Sequence, residues 1–332
     1  MSARFTVVVA APDVDSVAAA ALAGRAVEGR VEPLVFDSGG LVGFFASTVQ
    51  QRLPRSYDLV LCGLEVVRTD WDGRPVRAPL MDALRAFLGP IRWFGGGVWD
   101  PEDVSAVAHI VGEGNLIVPR TPGPVAALVR DACFRQSGEY EDCLVRLAAG
   151  RLSQAEEQAW GAATRLVLAA LKAEYADLSA AVALLMEARR DDLIARFGEQ
   201  ARRTDADCRR VAGENAEDPR PFGELKLTFL TVPQRWHRFW AEVSAYARGE
   251  KGAELSLCHL EGRPVLVLAR NAELRVDLRV WAGYVTDTLP TASAVGGRPD
   301  AVPLLVRGLA EDCRLREEVL GLLAEGAHLL KV

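Results

Sequence analysis

Residues 5–22 read FTVVVAAPDVDSVAAAAL, and this stretch decides how the rest of the chain is read. Phe5 to Val9 is a short apolar run of the kind that a strand covered on both faces needs. Two carboxylates, Asp13 and Asp15, follow on a tight turn containing Pro12. The alanine-rich run 17–22 then begins a helix, with Ser16 or Asp15 as its N-cap. A strand that ends in an Asp-x-Asp turn at a helix N-terminus points two acids into the crevice where open α/β sheets bind ligands. Asp13 can equally be a plain turn residue and Asp15 a plain cap, both common uses of aspartate.

Outward from this stretch the alternation of strand and helix continues. Residues 31–36 read as a second strand ending in Asp37-Ser38-Gly39-Gly40, where paired glycines allow either close approach to a ligand or a simple turn. An amphipathic helix follows over 41–52, then a third strand over 57–64, apolar almost throughout. Residues 68–77 are polar and turn-rich, with a loop or small hairpin on Asp72-Gly73. A helix over 79–87 leads to a fourth strand, 91–94, and then to Gly95-Gly96-Gly97. That triple glycine reads either as a phosphate-approach loop with exposed amides or as a turn and nothing more. A helix over 103–109, a fifth strand over 115–118 and a helix over 125–134 complete the series, with His109 read as a boundary histidine. Such alternation implies a parallel, doubly wound sheet.

From Ser153 the period changes. Ser153 with Glu156 makes a capping box, and the residues through Phe197 carry apolar side chains at three- and four-residue intervals, which predicts two or three long helices. Seven arginines, at 189, 190, 196, 202, 203, 209 and 210, are interleaved with acids and read as a solvated helix face. The polar stretch 214–221 reads as a linker. Beyond it, strands are predicted over 225–232, 255–259, 265–269 and 274–278, a strand or helix over 304–309, and a helix over 312–330. Trp236, His237, Phe239 and Trp240 read as a packed helix face, with base stacking as the alternative. The expected organisation is an α/β protein: a parallel doubly wound sheet domain over 1–150, a helical connector over 151–220, and a smaller mixed α/β domain over 221–332.

Composition narrows the function. With 332 residues, half of them hydrophobic and a quarter charged, the chain has room for a large core. A net charge of −6 argues against a protein that grips duplex nucleic acid by neutralising phosphates. Six scattered cysteines without a CxxC pair read as buried free thiols in a reducing compartment. No apolar run reaches the length of a leader core or a membrane span, so a cytoplasmic protein is expected, with oligomeric state left open.

The run PDVDSVAAAAL resembles the first motif of the DHH phosphoesterase superfamily, which includes RecJ-type exonucleases, nanoRNA and cyclic-dinucleotide phosphodiesterases, and two-manganese pyrophosphatases. Toward the other end, Gly296-Gly297-Arg298-Pro299-Asp300-Ala301, preceded by Val276-Asp277-Leu278-Arg279, resembles the GGGHPDAAG signature and the VDVR-like strand of the DHH-associated C-terminal domain. Active members of that superfamily hold two Mn²⁺ ions through acids of the first motif, an Asp on a later strand and an Asp-His-His triplet. By this resemblance Asp13 and Asp15 are the vestigial metal ligands, Cys62 or Gly63 stands where the strand Asp belongs, and Phe94 to Gly97 stand in place of Asp-His-His. Arg298 replaces the His of the C-terminal signature. A two-metal clamp about 3.5–4 Å across needs several hard ligands on each ion, and two carboxylates hold at most one hydrated Mg²⁺. The pattern is similar to that of the catalytically inactive RecJ relative of eukaryotic replication, whose corresponding strand also ends in Cys-Gly.

The resemblance therefore implies a degenerate, non-hydrolytic member that needs no cofactor. It would bind a nucleotide, a single-stranded nucleic acid or a protein partner in the cleft between its domains, through Gly95, Gly96, Gly97, Gly296, Gly297 and Arg298. The alternative is an active phosphodiesterase for short oligonucleotides or cyclic nucleotides. That enzyme would use Mn²⁺ or Mg²⁺ held by Asp13, Asp15 and further acids such as Asp37, Asp58, Glu65 or Asp100.

Overall fold

The computed structural model describes residues 5–47, 57–67, 75–97, 99–120, 123–157, 161–271, 273–294, 300–309 and 314–329. The chain divides into two compact units, one made of Met1–Val67 with Val76–Arg203, the other of Arg68–Pro75 with Thr204–Val332.

Unit 1 is built on strands β1 (Phe5–Ala10), β2 (Arg30–Val35), β3 (Asp58–Cys62), β4 (Ile91–Phe94) and β5 (Leu116–Ile117), in the order β2-β1-β3-β4-β5 with every pair parallel. Helices α1 (Val14–Arg25), α2 (Gly40–Ala46), α3 (Arg77–Ala86), α4 (Pro101–Val111) and α5 (Val125–Cys133) connect or follow them. The strands are apolar on both sides because both sides are covered. Val8, Ala10, Val60, Cys62 and Phe94 pack under α1 and α5, while Val7, Val9, Leu59, Leu61 and Trp93 pack under α2, α3 and α4. The two-residue period of the strands alone sorts these side chains between two cores.

The helices expected after Ser153, and one before it that was not expected, belong to the first of those cores. α6 (Glu139–Ala149), α7 (Ala162–Leu171), α8 (Tyr175–Met186) and the first half of α9 (Arg190–Asn215) bury Leu144, Leu168, Leu178, Leu185 and Phe197 against it. Ser153 and Glu156 form the predicted capping box around a single helical turn. On α9 and just before it the arginines face solvent in short-range pairs, Arg189 with Asp192, Arg203 with Glu199, Arg209 with Asp205 and Arg210 with Asp207. The interleaved signs thus neutralise one another along the helix.

Unit 2 carries a six-stranded sheet in the order β10-β11-β9-β8-β7-β6, formed by β6 (Arg220–Phe222), β7 (Leu225–Val232), β8 (Leu255–Leu260), β9 (Val265–Arg270), β10 (Ala292–Ala294) and β11 (Ala301–Val306). Only β7 and β8 run parallel, joined through α10 (Trp240–Lys251). α11 (Leu278–Thr288) and α12 (Arg314–Glu325) cover one face over a core that includes Trp281, Leu257 and Leu304.

Four expectations are corrected. The strand predicted over 274–278 does not form, because Asp277 caps a helix: its carboxylate accepts the Arg279 amide at 3.0 Å while Val276 and Leu278 are buried beneath the first turn. The apolar alternation there belongs to a helix entry. The linker read over 214–221 is folded: α9 runs to Asn215, Ala216 bridges Leu230, and the Glu217 amide donates to Phe229 O at 2.8 Å. The N-cap of α1 is Asp13, neither Ser16 nor Asp15. Asp13 sits in extended geometry and α1 begins at Val14, since the short polar side chain of Asp13 can reach the third amide of the helix. The helix expected over 41–52 closes at Ala46, with Ser47 extended; its later residues, and the Asp72-Gly73 turn, lie outside the described residues.

Candidate functional site

Strand order reverses between β1 and β3, and open α/β sheets bind ligands beyond the carboxyl ends of the strands at such a switch point. Four turns meet there: Ala11 to Asp13 after β1, Asp37 to Gly40 after β2, Gly63 to Glu65 after β3, and Gly95 to Gly97 after β4.

Asp13 is exposed, and each of its oxygens takes one bond from Ser16: Oδ1 accepts the amide at 2.9 Å and Oδ2 the hydroxyl at 2.7 Å. Asp15 points the other way. Its Oδ2 accepts the Val125 amide at 2.7 Å and its Oδ1 the Ala126 amide at 3.0 Å, so it caps α5 from 110 residues upstream. The reason lies at Pro124, the N-cap of α5, whose ring offers no acceptor for the unpaired amides of the first turn. The two acids that the sequence places side by side therefore serve two different helices.

The end of β3 is no better supplied with ligands. Cys62 is buried, and burial first, then the nearby Cys133 and Asp15, push its thiol far above the usual range, so it stays protonated. Gly63 adopts φ +73°, and a Cβ there would lie 1.7 Å from Ser16 Oγ. The triple-glycine turn packs onto this point. Gly95 N donates to Ile117 O at 2.9 Å and Gly96 N to Leu64 O at 3.3 Å, so both amides are spent inside the sheet end. Trp99 lies against Gly95, donates its indole N–H to Gly96 O at 3.0 Å and meets Trp93 edge to face at 5.1 Å.

The other acids are scattered. Asp37 accepts the Gly40 amide at 2.7 Å and the Tyr175 hydroxyl at 2.8 Å. Asp58 begins β3, at the opposite end of the strand from Gly63. Asp100 caps α4 by accepting the Glu102 amide at 2.9 Å. Glu65 alone reaches the glycine turn, with a carboxylate oxygen 2.8 Å from where a Cβ of Gly97 would be. Among the described residues, no three His, Cys, Asp or Glu side chains gather where they could hold a metal ion. This donor set does not fit a pair of divalent ions, which would need several oxygen or imidazole ligands apiece.

Gly296, Gly297 and Arg298 lie outside the described residues. Of the aromatic group after β7, Phe239 is buried while Trp236, His237 and Trp240 are half-buried, with Trp236 tilted on Phe239 at 5.6 Å. The five described cysteines carry no disulfide. Among the described residues, no helix is long and apolar enough to cross a membrane.

Sequence reasoning missed Ser38, whose hydroxyl accepts the Glu65 amide at 3.0 Å, and Trp99, whose only signal was its position after the glycines. It also missed a cavity of about 690 Å³ at the far end of α1, beside Arg25, bordered by Tyr140, Cys143, Arg146, Glu156, Ala188 and Arg190. Arg25 pins this region by donating to Glu141 at 2.8 Å and to Met186 O at 2.6 Å. None of those residues shares a recognisable spacing.

No protein-family profile matches the chain, and no curated protein matches its sequence. Solved structures do match its fold. A DHH domain described as a member of the s1p family of ribosomal proteins aligns with a TM-score of 0.65 at 13% identity, over 99% of this chain and 88% of its own. RecJ from Thermus thermophilus, solved in complex with Mn²⁺, aligns with a TM-score of 0.61 at 11% identity over 99% of this chain. This chain spans only 53% of that RecJ. A second RecJ exonuclease, bound to manganese, gives 0.51 at 12% identity over 98% of this chain and 90% of its own. The parallel sheet ordered β2-β1-β3-β4-β5, the helices behind it and the separate mixed sheet are accordingly a fold shared with these DHH and RecJ structures.

Proposed function

We propose that this chain is a degenerate, non-hydrolytic protein of the DHH/RecJ-like fold, retained to bind a nucleotide, a single-stranded nucleic acid or a protein partner in the cytoplasm. The observation that carries the reading is the commitment of both first-motif carboxylates: Asp13 to the start of α1 and Asp15 to the start of α5. Support comes also from the buried, protonated thiol of Cys62 and the spent amides of Gly95 and Gly96, which stand where the resemblance expects metal ligands. Hydrolysis by two metals requires ions that clamp attacking and leaving oxygens, and this strand end offers neither the donors nor a charged thiolate.

The test is metal content and turnover of the unmodified protein. Purified without chelators, it is expected to contain no stoichiometric manganese, magnesium or cobalt, and to leave a model phosphodiester and a short oligonucleotide uncleaved with any of these ions added. Cleavage that requires added Mn²⁺, and that disappears in Asp13→Ala and Asp15→Ala proteins which remain folded, would establish the active phosphodiesterase instead.

A further inference from the structure

We propose that the strand-end centre of unit 1 is a filled core, closed around Trp99, into which metal-ligating side chains cannot be put back by substitution. This rests on the reading of the chain as non-hydrolytic and goes beyond it, because loss of ligands alone would leave a vacated pocket.

The glycines carry the argument. A Cβ on Gly96 would stand 2.4 Å from the Gly63 carbonyl oxygen and 3.0 Å from its carbon, which is backbone that cannot rotate away. A Cβ on Gly95 would stand 2.8 Å from the Trp99 ring, itself held by its hydrogen bond to Gly96 O and by Trp93. Gly97 adopts φ +67°, a conformation that side-chain-bearing residues avoid. Gly63 is closed on its other side by Ser16. The turn after β4 and the turn after β3 thus touch backbone to backbone, and Trp93 donates its indole N–H to Leu64 O at 3.0 Å, tying the same two turns from beneath. Both tryptophans are buried. Interiors packed this closely do not admit added volume without displacing their neighbours. A histidine or aspartate at 95 or 96 would have to displace Trp99 or backbone before it could reach any ion, and one at 97 would have to hold a left-handed backbone and push aside the Glu65 carboxylate.

Two sets of variants test this. In the first, Cys62→Asp, Gly95→Asp, Gly96→His and Gly97→His are combined, and manganese per chain is measured after dialysis against Mn²⁺, alongside the melting curve. The expected result is no manganese above the wild-type level and a lowered Tm. A folded combination that holds two manganese ions per chain would overturn the proposal.

In the second, Gly96→Ala adds only the one carbon that meets Gly63 O, and is compared with Gly43→Ala, where the same carbon meets nothing within 4 Å. Gly96→Ala is expected to lower Tm by about 5–10 °C, whereas Gly43→Ala, at an exposed position inside α2, is expected to leave Tm unchanged or raise it by about 2 °C. A wild-type Tm in Gly96→Ala would equally overturn the filled core. Manganese bound by the unmodified protein would sink the proposed function as well, whereas a restorable site in a metal-free wild type would sink only this inference.

Discussion

The two units treat buried ionisable groups in opposite ways. In unit 1 the half-buried carboxylate of Asp15 finds backbone amides, and the buried Asp103 takes the Arg77 guanidinium at 2.6 Å. In unit 2 it is the nitrogen bases withdrawn from water that are set among neutral partners. Arg248 donates to the hydroxyls of Ser244 at 2.6 Å and Ser256 at 2.7 Å and to Asn271 Oδ1 at 2.8 Å, and burial holds its pKa below the ordinary arginine value. His237 and His259 each keep a buried Nε2 without a hydrogen-bond partner among the described residues. The difference teaches where each unit stores its sensitivity: unit 1 in contacts that need a negative charge, unit 2 in imidazoles that must stay neutral.

The largest effect expected from this contrast is at Asp15. Asp15→Ala leaves two amides of α5 without their acceptor and is expected to cost about 2–3 kcal/mol in urea denaturation. Asp15→Asn keeps one acceptor oxygen and is expected to lose about half as much. Asp13→Ala, which frees only the Ser16 contacts at an exposed position, is expected to cost about 1 kcal/mol. Equal losses at the two positions would break the claim that Asp15 works between helices and Asp13 only within one.

Acid separates the units further. His237 lies below its ordinary value of 6.5, first because of burial and then because of the Arg263 charge; His259 is lowered by burial and by Arg316. For a base with a depressed folded pKa, the unfolded chain binds more protons between the two values, so stability is lost as pH falls from about 6.5 downward. Glu156 in unit 1 is held down to about 2, mainly by Arg146, so the stability it contributes is complete above its ordinary 4.5 and lost only as pH falls from there toward 2. Unit 2 has low carboxylates of the same kind in Asp277 and Glu317, so its distinguishing window is the histidine one. Amide hydrogen exchange is expected to show β7 and β8 losing protection between about pH 6.5 and 5 while β1 and β3 hold theirs. In a His237→Gln, His259→Gln protein that difference should disappear; an unchanged profile would mean the histidines are not its source.

How much of this was legible beforehand follows from the range of the interactions. The strands of unit 1 were readable because a doubly covered parallel strand is apolar throughout, as Val7 to Ala10 and Leu59 to Cys62 are. The Asp-x-Asp stretch was readable as the turn between β1 and α1, but the partners of the two acids were not. Ser16 is three residues from Asp13, within reach of capping rules, whereas Val125 and Ala126 depend on a helix 110 residues away. The same limit hid the contact between Gly96 and Gly63, since a triple glycine announces room for backbone without saying what fills it. At Asp277 local chemistry misled: an alternating apolar pattern was too short to distinguish a strand from a helix entry with a capping aspartate.

The smallest expected effect compares how the units end their helices. α10 in unit 2 stops at Gly252 in the left-handed region, φ +61°, with the Ala253 amide returning to Arg248 O at 2.9 Å. α8 in unit 1 closes the same way, with the Arg189 amide returning to Leu184 O at 2.8 Å and the Ala188 amide to Leu185 O at 3.1 Å, but the left-handed residue is Ala188 at φ +58°. An alanine there keeps its Cβ against the following carbonyl, so Ala188→Gly relieves strain while adding chain entropy to the unfolded state. The strain term, about 1–2 kcal/mol, exceeds the entropy term, about 0.4–1 kcal/mol, so a net gain of about 0.5–1 kcal/mol is expected by denaturant titration. Gly252→Ala should lose a comparable amount, because nothing lies within 4 Å of its added carbon and the cost is therefore conformational alone. A loss in Ala188→Gly would show instead that the methyl group on the cavity wall contributes more through contact than it costs in backbone strain.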